Sequence, residues 1–507
     1  MSTAETPISL SMTPLQRWGL VFTLTMSTML YAMTVTIANV ALPKMQGAFG
    51  ATADQISWVV TFNLVATAVV TPMTGWLMAR LGQRRVMLLS ATGFTCATMA
   101  CGMATSLEEL VFYRVLQGMC GAPMVPGSQS IVLQAFPKDK QASTMAIFGV
   151  GVVMGPIVAP TLGGYLSDAH GWRWVFFMVV PCALVAIMGI LVFVRDLGAP
   201  GKLRFDWTGF IALSLAVACT QLMLDRGERE DWFESAEIIV VGLVAAFSFY
   251  IFIAHSMTAR DKPFLDFNML KDRNFALGMG IILIFGCLNF TPMVLFPPML
   301  QQLRDFPEIT IGWLQAARGI GTLIGFVGMI WLSKLDPRLM MAIGFALQGT
   351  AGLFIASFDI NMTPWDIAWT TGVQGLGTGL CWVPATQIAF ATLSPQKAAE
   401  GSAVFHLIRN FGSSLFISIS VAVALRTSKV NYSEMTEQIS PLNESLLYPS
   451  VTGGWNPETM EGLMALSGEI GRQSLMIGYL NAFLLFSVVS FAVIPFIAIA
   501  KWEGHAR

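Results

Sequence analysis

Charge is scarce in this sequence. Only 12% of its 507 residues are Asp, Glu, Lys or Arg, against 55% hydrophobic. A soluble domain of that length needs far more charge to cover its surface, so the composition belongs to a polytopic membrane protein. The net charge of −1 leaves no basic face for nucleic acid. The seven cysteines (Cys96, Cys101, Cys120, Cys182, Cys219, Cys287, Cys381) all fall in or at the ends of apolar runs, which implies no disulfide framework. No Gly-x4-Gly-Lys-Ser/Thr loop, HExxH pair, cysteine-pair metal motif or Ser-His-Asp motif occurs, so neither an enzyme nor a cofactor or metal is expected. Work against a concentration gradient must then draw on an ion gradient, at ~2.3 kcal/mol per charge per 100 mV. The tail through Leu15 has no basic region or cleavage site, and the first apolar run reads as a retained span.

Long apolar runs are what the chain has in abundance. Bilayer-length windows mark 16–42, 55–80, 84–104, 108–135, 141–167, 173–195, 206–225, 235–257, 274–302, 309–333, 338–358, 364–393, 400–426 and 474–500. Fourteen helices put both termini on one side. About eighteen of the 29 Lys and Arg lie in loops or tails on that side, about eight lie opposite and three fall within spans. The termini are therefore expected in the cytoplasm and the spans in a cytoplasmic (inner) membrane, among its lipids. The polar stretch 427–473 is expected as a long external loop.

The stretch from Arg114 to Gly164 holds more Gly and Pro than a water-exposed helix tolerates, at roughly 1 and 3 kcal/mol each. In a bilayer, neighbouring helices re-satisfy the freed backbone groups and small residues let helices touch. Gly151 and Gly155 form a GxxxG face, followed by Pro156, Pro160, Gly163 and Gly164. Such a close-packed, kinked helix reads as a hinge holding two halves together in one state, or as a packing face alone. The chain also repeats itself. Gln117-Gly118 through Pro126 returns as Gln374-Gly375 through Pro384, Ile56-Ser-Trp58 as Ile311-Gly-Trp313, and Trp76-Leu77 through Arg84 as Trp331-Leu332 through Arg338. All three offsets are near 255 residues. Residues 1–200 and 273–507 then read as two six-helix bundles, and 201–272 as a two-helix insert with linkers. That is the plan of a transporter whose substrate site lies between its halves.

On these residues the chain resembles the major facilitator superfamily, specifically its fourteen-helix drug:proton antiporters of EmrB/QacA type. The signatures are Thr36–Pro43 (TIANVALP), Gly75–Arg85 (GWLMARLGQRR), Arg114-Val-Leu-Gln117-Gly118, the antiporter motif Gly151–Gly164, Trp172–Phe176 with Pro181, Leu224–Gly227 with Asp231-Trp232, Arg318-Gly319 and Arg409-Asn410-Phe-Gly412. The resemblance implies an all-α facilitator fold of 6 + 2 + 6 helices and multidrug efflux by alternating access, driven by inward protons. It also implies a periplasmic membrane-fusion adaptor and an outer-membrane channel as partners. Thr34 stands where the family usually has an acid, and Ala79 where its inner loop usually has an Asp. The first departure removes the usual proton carrier. The second weakens the inner latch, leaving Arg80, Arg84 and Arg85, beside Gly75 and Gly82, to pair elsewhere.

Every Asp and Glu falls in a loop or at a helix end, whereas Arg114, Arg318 and Arg409 lie within spans. An intramembrane arginine must find carbonyls, water or substrate. Arg114 is a candidate for proton relay or gating, the alternative being a tie to helix-one carbonyls. Arg318 is a candidate substrate contact and Arg409 a packing or binding residue. Uncompensated positive charge favours anionic or neutral apolar cargo over lipophilic cations. His406 is the one deep histidine and, with an ordinary pKa near ~6.5, a candidate proton carrier or a bonded packing residue. Asn39, Gln117 and Gln129 complete the expected proton and substrate pathway beside Thr34. Two other readings remain: an exporter dedicated to one metabolite, lipid or siderophore, and a non-transporting membrane sensor or assembly subunit.

Overall fold

The computed structural model describes residues 13–195, 205–228, 230–258, 264–265, 267–332, 335–394, 397–439, 443, 448 and 459–499. Among them there is no strand. The helices are α1 (Pro14–Phe49), α2 (Ala53–Val70), α3 (Thr74–Leu81), α4 (Gln83–Met103), α5 (Leu107–Gly121), α6 (Met124–Ala135), α7 (Lys138–His170), α8 (Trp174–Phe177), α9 (Val179–Phe193), α10 (Trp207–Arg226) and α11 (Ala236–Thr258). They continue as α12 (Arg273–Arg304), α13 (Glu308–Leu332), α14 (Pro337–Ala356), α15 (Pro364–Phe390), α16 (Ala398–Glu437), α17 (Met460–Ala492) and α18 (Ile494–Ile497).

Among the described residues, twelve helical stretches are long and apolar enough to cross a membrane. By that measure the expected fourteen are not reached, and two runs account for the difference. The run 108–135 is divided at Ala122–Pro123 into α5 and α6, of 15 and 12 residues, each too short alone. The run 364–393 forms α15, long enough at 27 residues, but its Gly, Thr and Gln make it too polar to qualify. The expected external loop 427–473 is also corrected, because α16 continues to Glu437 and α17 starts at Met460. Polar side chains there cap backbone carbonyls of their own helix, as Thr427 does Val423 at 2.6 Å, and Tyr432 bonds Ser467 across the two helices at 2.9 Å.

Helices start where local chemistry satisfies their free N–H groups. Thr52 caps α2 in a reciprocal box with Gln55, and Asp336 caps α14 through the Arg338 N–H at 2.9 Å. The Arg338 guanidinium, 2.8 Å away, holds the Asp336 carboxyl below the usual carboxylate range. Gly82, at φ +89°, makes the turn between α3 and α4 that a residue with a Cβ resists.

The apolar cores show how the helices group. One core holds only residues of α1, α2, α4, α5, α7, α8 and the turns between them, with a small satellite beside it, and another only residues of α12 to α17 with the adjoining turn. The largest core draws on both groups and on the insert, and most of its residues sit at the start of α1, α4, α7, α10, α12, α14 and α16 and the end of α6, α9, α11, α13, α15 and α17. The two groups thus share a core at the end where α1 begins and keep separate cores at the other. Helices α10 and α11 pack together and attach to both groups: Ser414 of α16 donates to Gln221 at 2.8 Å, and Thr61 of α2 donates to Asp225. Near the start of α10, Phe205 stacks on Trp76 of α3 at 4.4 Å, and Asp206 pairs with His255 of α11 at 2.9 Å.

Candidate functional site

The repeat seen in the sequence returns as a repeated contact. Thr67 donates to the carbonyl of Asn63, and Thr322 to the carbonyl of Arg318, both at 2.9 Å. Those same carbonyls face Gly118 of α5 and Gly375 of α15, where a Cβ would strike them. Each glycine lets one helix press on the backbone of its neighbour, and in each group an arginine belongs to this crossing.

In the N-terminal group that arginine is Arg114, 0% exposed. Its Nε donates to the Val59 carbonyl at 3.0 Å and its Nη1 to Gln117 Oε1 at 2.5 Å. Gln117 passes the chain on to Thr98 at 2.7 Å, and Asn63 donates to the Arg114 carbonyl at 2.7 Å. Nη2 is buried without a hydrogen-bond partner. In the C-terminal group Arg318 donates through Nη2 to the carbonyl and the side-chain oxygen of Asn289, at 2.5 and 3.2 Å, while its Nε is buried unbonded. Arg409 lies over the rings of Trp382 and Phe290, at 5.5 and 5.8 Å, and donates to Asn410 at 2.9 Å. Among the described residues no carboxylate pairs with any of the three. Carbonyls, amides and aromatic faces carry the positive charge, and unused donors remain for an acceptor.

Between the groups sits a second cluster. His406 of α16, 2% exposed, donates from Nε2 to Gln129 Oε1 of α6, and Ser402 donates to the same oxygen at 3.4 Å. An amide oxygen only accepts, so the proton of the neutral ring sits on Nε2. His406 Nδ1 and Gln129 Nε2 are both buried without partners. Trp382 packs on the ring at 5.9 Å, so His406 and Arg409 share one aromatic wall. Nearby, Gly75 of α3 faces the backbone of Glu400, where a Cβ would lie 2.7 Å from its Cα. Ring atoms of Phe326 on α13 press on Gly149 of α7, and Ile157 of α7 on Gly319 of α13.

The family model described as Major Facilitator Superfamily matches residues 24–417. The chain belongs to that superfamily. The multidrug export protein EmrB of Escherichia coli K12 is 31% identical over 490 residues, covering 93% of this chain and 94% of that protein. The fatty acid resistance protein FarB of Neisseria gonorrhoeae is 29% identical over 486 residues, 93% of each. The crystal structure of the human organic anion transporter MFSD10 shares the fold at a TM-score of 0.60 and 13% identity, spanning 94% of this chain and 100% of that one. This is a multi-pass membrane transporter family and not a family of enzymes.

In this facilitator the residues expected to form one pathway fall into three places. Arg114 and Gln117 form one network, His406, Gln129 and Arg409 gather around Trp382, and Arg318 stands with Asn289. Thr34 joins none of them, since its hydroxyl donates to Leu30 one turn back at 2.6 Å. The Asn39 side chain lies outside the described residues. Arg114 is tied to a carbonyl of α2 and not to helix one as the alternative had it, because its side chain reaches towards the α2–α5 crossing that Gly118 opens.

The antiporter motif needs a larger correction. Gly151, Gly155 and Gly163 face Thr25, Met29 and Ile37 of α1, inside the N-terminal group, so this face does not join the halves. Gly149 and Ile157, about 200° round the helix from 151 and 159, make the contact with α13. Helix α7 is uninterrupted from Lys138 to His170; Pro156 is half-buried, Gly164 partly exposed, and the Pro160 side chain lies outside the described residues. Around the turn between α3 and α4, Arg80 lies over Trp76 at 5.1 Å, Arg84 donates to the Leu191 carbonyl at 2.6 Å and Arg85 is exposed. Trp382 and Tyr31, whose hydroxyl donates to Thr67 at 3.1 Å, escaped the sequence reading. The helical spacing of Ser402, His406 and Arg409 was the available signal, since i, i+4 and i+7 lie on one face.

Proposed function

We propose that this facilitator is a proton-coupled multidrug exporter of fourteen spans, 6 + 2 + 6, working by alternating access with both termini in the cytoplasm. The observation that carries the reading is the arrangement of its cores: merged at the end where α1 begins, separate at the other, with the His406–Gln129 bond buried in the merged region. Helices α5 with α6 and α15 supply the two further crossings. With the termini inside, the merged end is a closed inner gate, and export proceeds as the halves rock about it.

His406 is the proposed proton carrier. A second proton on Nδ1 creates a cation whose new donor meets no acceptor in the closed gate. A buried, unsatisfied cation is costly, so loading drives α6 and α16 apart and couples the proton to inner-gate opening. The cargo is amphipathic, and spans whose acids stand only near helix ends, with two buried arginines and the half-buried Arg409, favour weak acids or neutral molecules. The likeness to a protein named for fatty acid resistance supports the same preference, and a dedicated exporter of one lipid-like acid is the second reading. The resemblance to EmrB-type exporters carries with it the adaptor and outer channel, for which the helical extensions 427–437 and 460–473 offer the outer surface.

Flux into inside-out vesicles under an imposed pH gradient tests this, with one lipophilic weak acid and one lipophilic cation. The acid is expected to accumulate only with the gradient, and to fall about tenfold or more in Arg318→Ala and in His406→Gln, which keeps the amide bond but not the charge. Acid flux indifferent to the gradient would sink the antiport. Cation flux that ignores Arg318→Ala, with no acid flux, would overturn the cargo assignment.

A further inference from the structure

The insert helices border the merged core through Ala212 and Leu213 of α10 and Phe252 of α11, and at its far end α10 carries an acidic group against α2. Asp225 lies one residue before the end of α10 and is exposed. Its Oδ2 accepts from Thr61, and no cation pairs with it among the described residues. Its neighbour Arg226 is taken up by Glu230 at 3.0 Å and Glu237 at 2.5 Å. Beside the carboxylate is a recess of about 110 Å³ lined by Trp58 and Phe62, one turn apart on α2, and by Leu222 and the ion-paired Arg226 of α10. The two rings meet edge to face, 6.5 Å between centroids, and each is 36% exposed. The recess is at the end of the molecule away from the merged core, near the turn that joins α1 to α2.

From this geometry we infer that the recess between α2 and α10 is a binding site for an organic ammonium group, held by the Asp225 carboxylate and the ring faces of Trp58 and Phe62. An aromatic wall attracts a cation through the ring quadrupole, and Trp does so best. The carboxylate adds a full opposite charge where the flanking apolar surface lowers the local dielectric. Among the described residues Thr61 takes one carboxylate oxygen and no bond is made to Oδ1, and both rings are partly exposed. The size selects the ligand further. A drug-sized molecule needs a pocket of ~300 Å³ or more, so this recess admits a headgroup while its tail stays outside. Two sources carry that chemistry, the headgroup of an amine phospholipid and a free amphiphilic cation. The site is independent of the weak-acid cargo proposed for the interior, because it shares no residue with Arg318, Arg409 or His406.

Equilibrium dialysis of radiolabelled benzyltrimethylammonium against the purified full-length protein tests the assignment. Asp225→Asn, which keeps the shape and the bond from Thr61 but not the charge, is expected to weaken binding about tenfold, and Trp58→Ala about fivefold or more. Asp225→Glu restores affinity to within about threefold, and Arg318→Ala leaves it unchanged. Thermal unfolding of each variant separates lost binding from lost folding. Reconstitution in discs of phosphatidylethanolamine or of phosphatidylglycerol then decides the source: weaker probe binding in the former marks a lipid headgroup as the resident ligand, and equal binding marks a free cation. Affinity unchanged in both Asp225→Asn and Trp58→Ala, or affinity lost in Arg318→Ala, overturns the site. Acid flux in the vesicle experiment is expected to survive Asp225→Asn, so the two proposals fail separately.

Discussion

Arg114 shows what a buried arginine does when no acid is near. Two of its donors are aimed at fixed acceptors on α2 and on its own helix. A guanidinium spreads its charge over a planar fork, whereas an ammonium concentrates it and cannot match that geometry. Arg114→Lys keeps the charge and loses the directed bonds, and is expected to cost about 2 kcal/mol of stability. Thermal unfolding in detergent reads this as a fall in Tm. A variant with unchanged Tm and abolished transport would show instead that Arg114 acts in the proton path. Arg318 and Arg409 differ in kind, since each is held from one side only, by Asn289 or by Asn410 and two rings. On this geometry we propose Arg114 as a strut and the other two as ligand contacts.

At the scale of the element, α7 works with two faces. One is ground smooth by Gly151, Gly155 and Gly163 for contact with α1; the other carries Gly149 and Ile157 to α13. Gly155→Leu would set its Cβ 2.7 Å from the Met29 carbonyl oxygen, a backbone atom that cannot turn aside. The expected cost is about 3 kcal/mol, seen as poor expression and a lowered Tm. The atoms nearest a Cβ at Gly149 belong to the ring of Phe326, a side chain that can move, across the boundary between the groups. Gly149→Leu is therefore expected to retain fold and change the balance of states. Equal Tm values for the two variants would refute the division of faces.

At the scale of the whole molecule, the proposed mechanism requires the groups to part at the end where their cores merge. The Gly149–Phe326 contact belongs to the merged core, so a covalent bridge there holds that end shut. In a background without the native cysteines, Gly149→Cys with Phe326→Cys is expected to lose at least about tenfold in efflux on oxidation and to recover on reduction. Flux unaffected by the bridge would exclude rocking about this end. Helix α10 hydrogen-bonds to α2 on one side and α16 on the other, and so bridges the two groups.

The hydrophobic runs, the repeat and the superfamily were legible in the sequence because each depends on composition or local order. Apolar length decides what enters a bilayer, and Gln-Gly with its upstream polar partner recurs because the same helix crossing is built twice. The intramembrane arginines and His406 stood out for the same reason, being polar residues in an apolar run. Which neighbour each of them meets was not legible. The faces of α7 carry glycines on more than one side, and only packing decides that Gly151 and Gly155 lie on α1 while Gly149 lies on α13. Likewise the meeting of His406 with Gln129, and of Asp225 with Trp58, joins residues far apart in the chain. Local sequence preferences end at the helix, and the distances between helices belong to the tertiary structure alone.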